Sequence, residues 1–246
     1  MWKNASVEVT FLGTGAAFSP DAYNACILVD RTLLLDAGAP LCVHLPRVGL
    51  GIEIPRGVLL THFHADHTFG LAGLLLGRAL SAPGSGPLTI IGPRGCEPYV
   101  RQLLDFAWGE EMRNLTWERL GLEVRELDDG DVSDLLGYRI FAFGMTHSHR
   151  FRSLGFLVEH DGVRLGYSGD AERSPALERL LGASDHAIVE MTLDRPGPTH
   201  LSRQEVLELI AAYPKVRFIL THRGVNGPVS GALLASDFLS LRLPLR

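Results

Sequence analysis

Four side chains of the type that binds divalent cations fall within one short stretch of this 246-residue chain: His62, His64, Asp66 and His67. The chain has only ten histidines, so three of them within six positions are an unusually dense cluster. Neutral imidazole and carboxylate suit zinc, iron or manganese, and a merely solvated polar turn is the weaker interpretation. An apolar run precedes the stretch and a leucine-rich run follows it, at 58–60 and 68–80. The stretch is therefore expected to follow a buried strand and to precede a helix, where α/β proteins hold their sites.

Three further groups of ligand type also follow apolar runs. Asp170 ends the run from Leu165, and His222 ends the run from Phe218. His147 or His149 follows a strand predicted to end near Phe143. The two histidines point the same way from an extended chain, so geometry alone leaves both open. The repeated pattern predicts that four strand ends deliver ligands to one rim.

Composition and charge narrow the class of protein. A formal net charge of −5 argues against a protein that grips nucleic acid over a wide surface. The three widely spaced cysteines favour buried free thiols over disulfides or a cysteine zinc site. No run of about 18 apolar residues occurs, and residues 1–10 alternate like a strand rather than a signal peptide. The sequence therefore predicts a cytoplasmic protein without a membrane span.

Short apolar runs separated by turn signals predict many strands. The runs 25–29 and 33–35 are expected to pair as a hairpin, as are 156–159 and 163–167 across Asp161-Gly162. A helix capped by Ser202 is predicted to extend to about Tyr213. Strands and helices recur in similar order without a linker, which predicts one domain over 1–246. The expected fold is α/β, a four-layer αβ/βα sandwich of two mixed sheets flanked by helices.

The ordered motifs resemble the metallo-β-lactamase superfamily, and within it the ribonuclease Z-like and cyclic phosphodiesterase-like branch. The similarity extends over about residues 6 to 225. It rests on five motifs: Phe11 to Ala17, Thr61 to His67, His149 six residues before Gly155-Phe156, Tyr167 to Asp170, and Leu220 to His222.

This resemblance implies two divalent metal ions, of which Zn²⁺ is expected and Mn²⁺ or Fe is the alternative. It implies that the first metal is held by His62, His64 and His149. It implies that the second is held by Asp66, His67 and His222, with Asp170 as the bridge. The family spacing to Gly155-Phe156 selects His149 over His147, which then contacts substrate, supports a ligand or lies on the surface.

Three residues are candidates for catalytic work beside the metals. Asp66 is expected to orient or deprotonate the attacking water. In the ribonuclease Z-like branch a histidine in a similar loop contacts phosphate, and His200 matches it as the candidate donor to the leaving oxygen. A surface-loop residue is an equal interpretation of His200. The Glu-x-Thr loop of that branch matches Glu190 to Thr192, and a charge that closes an apolar strand needs a partner.

The predicted function is a dinuclear metal-dependent phosphodiesterase acting on RNA ends, cyclic phosphates or small nucleotides through a metal-bridging water. The resemblance implies that tRNA 3′-processing enzymes carry a long arm before the bridging Asp, whereas only 20 residues separate His149 from Asp170 here. A thioesterase or lactonase on the same fold is the alternative. A non-catalytic scaffold is disfavoured because no ligand is lost. The expected partner is a small-molecule or nucleotide phosphodiester, with neither an extended nucleic-acid surface nor a membrane, and the resemblance favours a homodimer.

Overall fold

Two mixed seven-stranded sheets flanked by six helices make up the described part of the chain, residues 6–225 and 227–245 of a computed structural model. The first sheet has the order β14-β1-β2-β3-β4-β5-β6. Its strands are β1 (Ser6–Gly13), β2 (Cys26–Val29), β3 (Leu33–Leu35), β4 (Gly57–Leu59), β5 (Thr89–Pro93), β6 (Glu123–Leu127) and β14 (Ser240–Pro244).

The second sheet has the order β13-β12-β11-β10-β9-β8-β7. Its strands are β7 (Val132–Leu135), β8 (Tyr138–Met145), β9 (Ser153–His160), β10 (Val163–Tyr167), β11 (His186–Met191), β12 (Arg217–Arg223) and β13 (Ala232–Leu234). The helices are α1 (Leu41–Arg47), α2 (Ala65–Ser81), α3 (Cys96–Trp108), α4 (Glu110–Leu120), α5 (Pro175–Ala183) and α6 (Arg203–Ala212).

Three apolar cores hold four layers together. Phe11 and Ile27 of the first sheet pack with Phe156 and Ile188 of the second, so the two sheets face each other. A second core lies between the first sheet and α1 to α4, and a third between the second sheet and α5 and α6. Each sheet thus buries one face against its partner and one against helices, which explains the continuous apolar runs of its central strands. The predicted αβ/βα sandwich is confirmed.

The local turn signals are also confirmed. Asp161 and Gly162 both have positive φ, 49° and 82°, as the two-residue turn between β9 and β10 requires. Ser202 accepts a hydrogen bond from the Glu205 backbone N–H, and the Glu205 side chain caps Ser202 in return. Helix α4 was not predicted, because only Thr116 and Leu120 of its residues are buried and its sequence shows little apolar periodicity.

Some predictions remain outside what the structure describes. Residues 1–5, on which the exclusion of a signal peptide partly depends, lie outside the described residues, and a single domain over 1–246 stays a prediction. Among the described residues no helix is both long and apolar enough to cross a membrane. The cysteines are free, but Cys42 is exposed rather than buried.

Candidate metal centre

The ends of β4, β8, β10 and β12 bring the ligand-type side chains to one rim of the sandwich. His62 and His64 lie between β4 and α2, whereas Asp66 lies in the first turn of α2, where a carboxylate suits the helix dipole. A β-carbon at Gly38 would collide with the Asp66 carbonyl, so this turn packs directly against the segment that follows β3. His222 lies where the β11–β12 register shifts, with φ of 44°. This bulge aims its side chain into the site.

The first cluster consists of His62, His64, His147 and Asp170, whose ligand atoms all lie within 4.8 Å of one another. His64 Nδ1 lies 3.0 Å from His62 Nε2 and 3.1 Å from His147 Nε2. Asp170 Oδ2 lies 3.8 Å from His62 Nε2 and 3.7 Å from His147 Nε2. Three imidazoles and one carboxylate around one point form a set that zinc accepts.

The second cluster consists of Asp66, His67, Asp170 and His222. His222 Nε2 lies 3.0 Å from Asp66 Oδ2 and 3.4 Å from Asp170 Oδ1. His67 Nε2 lies 3.2 Å from Asp170 Oδ1. Asp170 therefore turns Oδ2 toward the first cluster and Oδ1 toward the second, so one carboxylate belongs to both.

The structure corrects the choice between His147 and His149. His147 is buried in the first cluster, and its Nδ1 lies 2.6 Å from the Thr199 carbonyl oxygen. His149 is exposed and belongs to neither cluster. The chain bends after His147, where the Arg150 N–H donates to Ser148 Oγ, so the extended conformation assumed from sequence does not hold. The structure therefore places His147 in the first cluster, and not the His149 that the family spacing selected.

Asp36 is a supporting residue that the sequence analysis missed. It is fully buried and accepts hydrogen bonds from Thr61 N–H, the Tyr167 hydroxyl and His67 Nδ1, the last at 2.8 Å. A carboxylate at Nδ1 keeps the proton there and leaves the Nε2 lone pair for the second cluster. The sequence did contain a signal for Asp36, because this acidic residue directly follows the apolar strand β3. Glu190, near the end of the apolar strand β11, was recognised from the same kind of pattern.

Two buried polar atoms of the second cluster indicate that the site is built for a cation. His67 Nε2 and Asp170 Oδ1 are buried 3.2 Å apart, and apart from this contact neither has a well-aligned hydrogen-bond partner among the described residues. Leaving two such atoms unsatisfied at one point is costly, and a divalent cation would satisfy both. The donor set and these orphaned atoms fit the predicted binding of divalent metal.

The protonation states of the first cluster and of Asp170 agree with this fit. Burial lowers the pKa values of the three imidazoles of the first cluster, which favours the neutral form that binds metal: His62, His64 and His147. Burial raises the pKa of Asp170, but the charges of His222 and His67 outweigh it and hold that pKa well below its usual range. Asp170 is therefore an anion, which is the form that binds a cation.

Glu190 and His200 form a supporting pair next to the clusters. Glu190 is fully buried, and its Oε1 accepts hydrogen bonds from His200 Nδ1 at 2.9 Å and from Ala171 N–H at 2.8 Å. Its Oε2 accepts from the Thr192 hydroxyl, which lies 3.0 Å from His222 Nδ1. Glu190 thus fixes His200 directly and His222 through Thr192. The structure brings both candidates to the rim.

The chain belongs to the beta-lactamase superfamily, since the family described as "Beta-lactamase superfamily domain" matches residues 31–223. Among particular relatives, a ribonuclease Z from Mycolicibacterium gilvum (strain PYR-GCK) is 34% identical over 205 residues, 76% of this chain and 70% of that protein.

Solved structures share the fold of this chain. Human tRNase Z, short form, matches with a TM-score of 0.76 and 25% identity over 96% of this chain and 99% of that one. The metallo-beta-lactamase fold protein YhfI from Bacillus subtilis has a TM-score of 0.78 at 17% identity, over 96% and 99% of the two chains. The predicted family is confirmed, and the relatives support a metal-dependent hydrolase of the phosphodiesterase kind.

Proposed function

We propose that this chain is a dinuclear, zinc-dependent phosphodiesterase acting on small nucleotides, cyclic phosphates or RNA 3′ ends. The observation that carries the proposal is the shared Asp170, whose two oxygens face two separate ligand clusters. His62, His64 and His147 would complete the first metal site, and Asp66, His67 and His222 the second. Relatives named ribonuclease Z and tRNase Z support a phosphodiester substrate.

The bound metals would supply Lewis-acid stabilisation of the charge that develops on the phosphate oxygens. Asp66 Oδ2 faces His222 and His67, and we assign its other carboxylate oxygen to accept a proton from the attacking water. His200 lines the same cavity as Asp66, and Glu190 holds its Nδ1. The free Nε2 is thereby left to contact the phosphate or to donate a proton to the leaving oxygen.

A thioester or lactone hydrolase is the second candidate, and one feature favours it. Part of the cavity above the ligands is walled by Ala16, Ala17, Phe18 and Phe69. An apolar wall suits an acyl chain. The hairpin β9–β10 accounts for most of the described chain between His147 and Asp170, which agrees with a small substrate in either case.

Turnover of two chromogenic substrates distinguishes the candidates. We expect the zinc-loaded protein to hydrolyse bis-p-nitrophenyl phosphate with a higher kcat/KM than p-nitrophenyl butyrate, because the paired clusters suit charge on phosphorus. Chelated protein is the control and should lose the diester activity until zinc is restored. Turnover of the butyrate ester alone would contradict the phosphodiesterase and favour the second candidate.

A further inference from the structure

The cavity above the candidate metal centre has two chemically different sides. Its volume is about 720 Å³, and His64, Asp66, Asp170, His200 and His222 line one part of it. The loop after β1 and one residue of α2 line the other part, with the side chains Ala16, Ala17, Phe18, Pro20 and Phe69. The ligand clusters account for the first part only. The apolar part has no role in the chemistry described so far.

Two phenylalanines of this apolar part are strongly exposed to solvent. Phe18 is 98% exposed and Phe69 is 65% exposed. Single exposed apolar residues are common on protein surfaces, but these two line one cavity that adjoins a candidate reaction centre. Phe69 lies three residues after Asp66 on α2, so both point to the same side of the helix. A ring at this position extends the site outward from the ligands.

The loop that carries Phe18 is fixed at its base. Asp237 accepts hydrogen bonds from Thr14 N–H at 2.9 Å, from the Thr14 hydroxyl at 2.7 Å and from Tyr23 N–H at 2.8 Å. Gly15 N–H also donates to the Tyr23 carbonyl oxygen at 2.8 Å. Both ends of the loop are thus held to each other and to one carboxylate. Phe18 is presented from an anchored loop, which lowers the cost of ordering it around a ligand.

The charges around the cavity indicate the size and charge of its ligand. Among the described lining residues Arg223 is the single lysine or arginine, and its guanidinium also donates to the Ala235 carbonyl oxygen. Asp21 adds a carboxylate on the loop side. A polynucleotide needs several cations along its phosphates, which this lining does not offer. One phosphate at the clusters with an uncharged flat group beside it fits this lining.

We propose that Phe18 and Phe69 form a binding site for one flat aromatic group, such as a nucleobase, esterified to the phosphate that reacts at the clusters. This inference rests on the proposed phosphodiesterase function and names its substrate class. Aromatic rings bind flat π-systems by stacking, which contributes on the order of 1–3 kcal/mol per base. The apolar wall then serves an aromatic ester group rather than an acyl chain.

Calorimetric titration of the zinc-loaded protein with phenylphosphonate and methylphosphonate tests this site without a reaction. Both probes carry the same charged group, and only one carries a ring. We expect phenylphosphonate to bind about tenfold more tightly or better. Phe18→Ala and Phe69→Ala should each reduce this ratio to about twofold or less, whereas Phe18→Tyr should keep it.

Phe106→Ala is the matched control. Phe106 is 91% exposed on α3 and does not line the cavity, so its removal should leave the ratio unchanged. Equal affinity for the two phosphonates, or a ratio that survives Phe18→Ala and Phe69→Ala, would overturn the site. A wild-type dimer that dissociates on Phe18→Ala with no change in ratio would instead assign the rings to contact with a second copy.

Diester turnover measured on the same samples distinguishes failure of the aromatic site from failure of the proposed phosphodiesterase function. Turnover of bis-p-nitrophenyl phosphate with equal phosphonate affinities would remove the aromatic site and leave the phosphodiesterase standing. Absence of both turnover and phosphonate binding would contradict the proposed function and the aromatic site together.

Discussion

Asp170→Ala is expected to lower kcat/KM for a phosphodiester by about a thousandfold or more, because metal ions supply several kcal/mol of transition-state stabilisation. Asp170 is the one residue whose oxygens face both clusters, so its loss weakens both metal sites at once. Asp66→Ala should also abolish turnover, since it removes a ligand and the assigned proton acceptor.

The measurement is turnover of bis-p-nitrophenyl phosphate by zinc-loaded variants, with circular dichroism to show that the fold persists. Asp134→Ala is the matched control, because Asp134 is exposed on β7 and belongs to neither cluster. It should keep the wild-type rate within about twofold, as surface substitutions usually perturb little. Wild-type turnover by folded Asp170→Ala would refute the assignment of the shared ligand.

His147→Ala is expected to lower activity by at least about a hundredfold, more than loss of an outer partner of a ligand usually costs. His147 is buried with its Nε2 3.1 Å from His64 Nδ1. Its neighbour His149 is exposed, so His149→Ala should keep the wild-type rate.

Comparing these two variants tests which histidine belongs to the metal site. The two histidines are two positions apart, and the bend buries one of them and exposes the other. Zinc content should fall in His147→Ala and stay unchanged in His149→Ala. The opposite pattern, with zinc and activity lost only in His149→Ala, would restore His149 as the ligand that the family spacing selected.

Six of the seven residues that the sequence predicts as metal ligands lie in the two clusters. His62, Asp170 and His222 were predictable because each follows an apolar run, and the ends of β4 in the first sheet and of β10 and β12 in the second meet at one rim of the sandwich. The sandwich was predictable for a related reason, since strands buried on both faces require helices on their outer sides.

The place of His147 in the first cluster was not predictable from local pattern. The position of His147 depends on a bend at Ser148 and on the Thr199 carbonyl oxygen, which lies 52 residues further along the chain. Asp36 was missed for a similar reason, because an acidic residue before Ala-Gly resembles a turn residue in the sequence. Only the structure shows that Thr61 and Tyr167 donate hydrogen bonds to it. The positions of His147 and Asp36 in the site both depend on contacts with residues far away in the sequence.

The position of Phe18 shows the same limit of local pattern. In the sequence it directly follows the Phe11 to Ala17 motif, and nothing in its local pattern marks it as part of a site. Phe18 lines the cavity because Asp237, more than two hundred residues further along the chain, accepts hydrogen bonds from both ends of its loop. An exposed aromatic becomes informative only when the cavity beside it is known.

The metal content of the purified protein, measured with its diester turnover, tests the central claim most directly. We expect close to two zinc ions per chain after reconstitution, with turnover of bis-p-nitrophenyl phosphate that rises as the second equivalent binds, because two clusters share Asp170. A single ion per chain at saturation, or none retained, would contradict the dinuclear centre on which the proposed function depends.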